Sequence, residues 1–220
     1  MEKLTDMSTT IDDTERELRA QRIVTEWDGI FPVYEAFYIH AIMYAADRAV
    51  ESFERYDLAH ANDQSAPDQV SAVHEALGHA GALSRFFWPS GAGPRRKPAA
   101  IALTNARADK LRAAFQLNDK SPLKARALRD ALEHFDERLD NYLLSSDAGQ
   151  YAPIPQIGDS RDLPNGRNHI FKLVDPTLSA FVILDSKFDF ASIRTAVVEI
   201  LIDARTMSKN GDRLRPVPRN

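Results

Sequence analysis

The sequence predicts a mainly α-helical domain, a bundle of about six helices with a short β-hairpin placed before the last one. Three observations predict it. Apolar residues recur at steps of three and four along most of the chain. Capping residues and prolines open these periodic stretches and glycines close them. Only two short runs, both late in the chain, are rich in β-branched and aromatic residues. The 220 residues are 44% hydrophobic, enough for one sizeable core, so the chain reads as a single domain over 1–220 with 1–9 and 212–220 expected to be disordered. No cysteine is present, which excludes a disulfide framework, thiolate metal sites and cysteine nucleophiles.

The first helix is expected to start at Thr10 as cap, with Asp12 and Asp13 in its first turn, where acids suit the positive end of the helix dipole. Ile11, Leu18, Ile23, Val24 and Trp27 follow helical spacing, and Asp28-Gly29 stops the run. From Pro32 to near Tyr56 the chain is apolar on most sides (Val33, Phe37, Tyr38, Ile42, Met43, Tyr44, Val50, Phe53) and reads as the central, most buried helix. A polar run from His60 to Ala66 breaks it. Pro67 and Asp68 then open a third helix that reaches Phe87 and Trp88.

A Pro- and Gly-rich loop from Pro89 to Pro98 carries Arg95, Arg96 and Lys97, and a fourth helix runs from Ala99 to Leu117. Ser121-Pro122 is a cap followed by a first-turn proline, so a fifth helix is expected to run unbroken to Ser145 with Leu128, Leu132, Phe135, Leu139, Tyr142 and Leu143 on one face. Residues 147–168 read as a long irregular loop. His169 to Val174 and Ala180 to Leu184 form the hairpin, residues 169–185, across Asp175-Pro176-Thr177. The last helix, Asp189 to Met207, places Phe190, Ile193, Val197, Ile200, Leu201 and Ala204 on one stripe and ends at Gly211.

Composition narrows the function. A net charge of −4 argues against coating nucleic acid without sequence preference, which rests on neutralising many phosphates. The first ten residues hold no apolar leader, and no stretch reaches the ~20 apolar residues that span a bilayer, so a cytoplasmic protein without membrane contact is expected. His74-Glu75 with His79 misses the zinc-protease pattern. Its five-residue step turns the second imidazole about 140° from the first, and no metal or cofactor is expected.

One helix carries the lead. In Leu128-Arg129-Asp130-Ala131-Leu132-Glu133-His134-Phe135, Arg129 and His134 flank the side opposite the apolar face, about 140° apart on an unbroken helix. Long side chains there can converge on one phosphate, Arg129 binding it and His134 moving a proton, with Asp130 one turn back to orient the imidazole. Arg55 and His60 repeat the spacing, but Tyr56 follows the arginine and the helix is ending. The plain alternative is a solvated face, with Arg129 and Glu133, Asp130 and His134, and His134 and Arg138 as surface pairs worth ~0.2–0.5 kcal/mol each.

This segment resembles the signature of the HEPN superfamily, an Arg followed by a polar residue with a His a few positions on. The resemblance implies a helical domain that acts as a homodimer and cuts RNA without a metal, in some members as the toxin of a pair held by an antitoxin protein or as part of a defence system. It assigns the catalytic role to Arg129, Asp130 and His134. Arg126, Arg138, Arg95 and Arg96 are then the expected RNA contacts, and Phe86, Phe87 and Trp88 either stack bases or belong to the core. Two other readings stand beside it: a non-enzymatic helical scaffold or interaction module, and a small-molecule binder with a pocket between the central helix and the hairpin.

Overall fold

A computed structural model describes residues 11–90, 97–145, 149–161 and 168–216. Capping side chains set the starts of three of its helices. In α1 (Asp13–Trp27) the cap is Asp12, whose carboxylate accepts the Glu15 N–H at 2.8 Å. Thr10, the expected cap, lies outside the described residues. The helix stops at Asp28 (φ 52°) and Gly29 (φ 91°). Gly29 is required there, because a Cβ would stand 2.3 Å from the Arg107 nitrogen in α4 (Pro98–Ala114).

After a 3₁₀ turn at Pro32–Tyr34, α2 (Glu35–Ala61) continues beyond its expected end near Tyr56. It packs along α3 (Ala66–Phe87) and α7 (Phe190–Lys209), burying Ile39, Ile42, Ala46, Ala49 and Phe53. Its central position matches expectation, but its burial does not extend to most sides. Phe37 and Tyr44 are 74% and 68% exposed, and Val33 is exposed beside them, because no element among the described residues covers that face. Ser65 caps α3, accepting the Asp68 N–H and donating to its carboxylate at 2.5 Å, with Pro67 in the first turn. Asp189 caps α7 by accepting from Ala191 and Ser192.

The chain past Gly211 does not leave the body at residue 212. Leu214 is buried, and its N–H donates to Glu35 Oε2 at 3.1 Å. Glu35 also meets Lys110 Nζ at 3.0 Å, and the same ammonium donates to the carbonyls of Trp27 and Ile30. Residues 212–216 are therefore part of the fold because they close over a buried ion pair.

The expected fifth helix is two helices. A 3₁₀ turn at Pro122–Lys124 precedes α5 (Arg126–Glu133), and α6 (Phe135–Leu144) follows after His134, whose φ of −110° and ψ of 39° interrupt the helix. The Ser121 side chain caps nothing. Each half is anchored to a different part of the molecule: Glu133 pairs with Arg85 of α3, whereas Arg138 donates to Asp185 and Ser186 in the sheet region.

The stretch read as a long loop contributes two strands. β1 (Gln150–Ala152) pairs in parallel with β3 (Asn168–Ile170), and β2 (Gln156–Ile157) pairs in parallel with β4 (Lys172–Asp175). β4 and β5 (Ala180–Ile183) form the expected hairpin, extended by β6 (Ser186–Asp189) into a four-stranded sheet ordered β2-β4-β5-β6. Alternation decides the two faces: Val174, Phe181 and Ile183 join the helical core, while Leu173 and Val182 meet Ile170 and Ala152 in a second small cluster. Asp175, fully buried at the end of β4, accepts from the N–H and hydroxyl of Ser160 and from the N–H groups of Thr177 and Leu178. It ties the turn after β4 to the segment after β2.

Candidate functional site

The packing of α5 against α3 decides where the first motif residue goes. Arg129 is 7% exposed, and its Nη1 donates to the Trp88 carbonyl at 3.2 Å. Its stem runs past Gly81, a helical position with room for it. Arg112 donates to the neighbouring Phe87 carbonyl. Two guanidinium groups thus satisfy the last carbonyls of α3, where positive charge also suits the helix dipole.

The His134 side chain, 60% exposed, stands at the junction with the Glu137 carboxylate 3.9 Å away. Asp130 accepts from Arg126 Nε at 3.1 Å and does not bond the imidazole. Arg138 is bound to Asp185 at 3.1 Å and to Ser186 at 2.7 Å. Arg95 and Arg96 lie outside the described residues. Arg129 and His134 are therefore not brought to one face: the first is buried against α3 and the second faces solvent. The two stand on different flanks of the helix, as the wheel expects, but α3 covers the flank that carries Arg129.

The other sequence candidates are also placed. Phe87 is fully buried, and Phe86 and Trp88 pack against the core rather than forming an open stacking platform. Arg55 pairs with Glu75 at 2.5 Å, while His60 stacks on Tyr56 and bonds Gln69. His79 approaches Glu75 at 3.7 Å, and His74 turns instead toward Lys172. No group of three or more His, Asp or Glu side chains able to hold a metal occurs among the described residues.

A groove that the sequence reading missed lies between α6 and the β1-β3 pair. It encloses about 300 Å³, lined chiefly by Leu139, Leu143, Tyr151, Pro153, Ile170 and Phe171. One polar pair faces this lining: the Tyr142 hydroxyl lies 3.0 Å from His169 Nδ1, and Tyr151 stacks on the same imidazole at 4.5 Å. Burial, with the nearby Asp185 charge, pushes the Tyr142 phenol above its ordinary range, so it stays protonated as a hydrogen-bond donor.

Around the groove, large apolar side chains face water. Leu144 is 86% exposed, and Leu143, Tyr151 and Ile154 are exposed with it. One flank is acidic. Asp136 and Asp140 share a face of α6 with Leu143 and Leu144, and neither enters an ion pair among the described residues. The signal was present in the sequence as Leu143-Leu144 at a helix end and as Tyr151 and Ile154 among prolines, apolar residues in segments that bury little. Comparison with protein-family models, with curated proteins and with solved structures gives no match to this chain.

Proposed function

We propose that this chain is a helical interaction module that receives a basic amphipathic segment of a partner protein in the groove between α6 and β1-β3. The observation that carries this reading is the apolar cavity of about 300 Å³ with exposed large hydrophobic residues on its rim. The acidic flank of α6 selects the occupant. An apolar side chain enters the cavity while Lys or Arg of the same segment meets Asp136 and Asp140. The burial of Arg129 favours this over a nuclease centred on the motif, because a guanidinium bound to the end of α3 is engaged in holding the fold.

Fluorescence anisotropy with the full chain tests it. A helical peptide of alternating apolar and Lys/Arg faces is expected to bind, and its Glu-for-Lys counterpart is not. Leu143→Asp, or Asp136→Lys with Asp140→Lys, weakens binding about tenfold or more, equivalent to ~1.4 kcal/mol. Equal binding of both peptides, or binding indifferent to these substitutions, overturns the proposal.

One observation favours a second reading, the metal-independent HEPN-type ribonuclease acting as a homodimer. His134 is exposed at the α5-α6 junction and its imidazole makes no hydrogen bond among the described residues. RNA is the substrate on this reading, and an antitoxin the partner where the chain serves as a toxin. Purified protein incubated with RNA in chelator is expected to cleave it, and His134→Ala to abolish cleavage while the fold survives. Intact RNA after incubation with the wild type removes this reading.

A further inference from the structure

Beside Phe171, which also lines the groove, three elements gather around one amine. Lys172 of β4 holds its Nζ 3.3 Å from Nδ1 of His74 on α3. The same nitrogen lies 5.0 Å from the ring centre of Phe135 and 4.8 Å from that of Phe171. His74 is held in turn by stacking on Phe181 at 6.0 Å. Both Lys172 and His74 are partly exposed. Lys172 makes no ion pair among the described residues, in contrast with half-buried Lys110, which has Glu35.

The geometry points to Lys172 as a nucleophilic amine that condenses with an aldehyde or ketone, with His74 as the base beside it. A nucleophile, a base within hydrogen-bond reach and a third group that orients the base are the parts such chemistry needs. Two ring faces beside the amine suit a carbonyl compound with an apolar or aromatic substituent.

Burial lowers the Lys172 pKa from its ordinary value, and burial followed by the Lys172 charge lowers that of His74, which keeps its imidazole neutral and able to accept a proton. The ring faces act in the opposite sense on Lys172, favouring its cation. Reactivity rather than titration is therefore the quantity to measure.

In the reaction, Nδ1 of His74 takes a proton from the ammonium, and the freed lone pair on Nζ attacks the carbonyl carbon. The carbonyl π pair moves to oxygen, which is protonated as nitrogen loses a second proton, giving a carbinolamine. Expulsion of that oxygen as water, with loss of the remaining N–H proton, leaves a neutral imine. One water leaves for each C=N bond formed, and neither oxidant nor reductant is consumed.

The full-length protein is treated with a low concentration of benzaldehyde and cyanoborohydride, which fixes imines as benzylamines, and the modified lysines are located by peptide mass mapping. Exposure alone would place Lys172 behind Lys120, Lys187 and Lys209, all of which face solvent. The inference expects the reverse order, with Lys172 labelled about fivefold faster or more. His74→Gln should bring Lys172 down to or below the exposed lysines, with an unchanged circular dichroism spectrum confirming the fold. Wild-type protein labelled in order of exposure overturns the inference without touching the peptide-binding reading. So does a well-folded His74→Gln variant that keeps the full Lys172 rate.

Discussion

The interior built on α2, α3 and α7 and the strip from α6 through β1 to Ile154 use apolar residues in opposite ways. In the first, long helices bury continuous stripes, with Phe53, Leu77 and Ile200 removed from solvent. In the second, a ten-residue helix and a three-residue strand carry the chain, and α6 has no fully buried residue. Leu143, Leu144, Tyr151 and Ile154 stay at the surface there, beside acids that form no ion pair among the described residues. The contrast teaches that the helical half supplies stability, while the strip keeps apolar area available for contact.

Core truncation should break the contrast most visibly. Phe53→Ala is expected to cost ~3–5 kcal/mol in urea unfolding, whereas Leu144→Ala should stay within ~0.5 kcal/mol. Equal losses would mean that the strip is as structurally committed as the bundle.

Asp175 is buried in the sheet that joins the strip to the core, and its removal should come next. Asp175→Ala leaves buried donors without their acceptor and is expected to cost ~3 kcal/mol. Burial alone raises this carboxyl, but the bonds from Ser160, Leu178 and Thr177 outweigh it and hold its pKa below the ordinary value. The linked stability is therefore complete above the unfolded pKa of about 3.9 and is lost as pH falls through the lower folded value. Thermal melts in that acid window should show a steeper drop for the wild type than for Asp175→Asn.

Arg129→Met, which removes a buried charged donor from the end of α3, should cost ~1.5–3 kcal/mol. His134→Ala, five residues away, should change stability by less than ~0.5 kcal/mol. Comparable losses from the two would show that the junction is as tightly held as the α3 cap. The smallest effect belongs to Arg22→Ala, which deletes a solvated pair with Glu26 and is expected to cost no more than ~0.5 kcal/mol in the same assay.

Much of the helical half was legible because its signals are local. Pro67 with Asp68, Asp28 with Gly29 and Asp189 before an apolar stripe are read correctly from neighbours in sequence. What went unread depends on distant partners. Nothing in Glu133-His134-Phe135 breaks a helix by itself, and the two halves pair with partners far off in sequence, Arg85 and Asp185. β1 and β2 are too short to show a period, and parallel pairing with β3 and β4 gives them their form. Periodicity likewise finds apolar positions on α2 but cannot say that Phe37 and Tyr44 lack a covering element. The candidate groove was hidden for the same reason, since its walls come from α6, β1 and β3.

The closure over Glu35 bears on the order in which the protein can be made. Lys110 joins this carboxylate to the end of the first helix, and the last acceptor site is taken by a backbone group 179 positions downstream. On a ribosome, this latch stays open until Leu214 has emerged from the exit tunnel. The N-terminal layer can form earlier, but it is fastened only once the segment beyond α7 has followed.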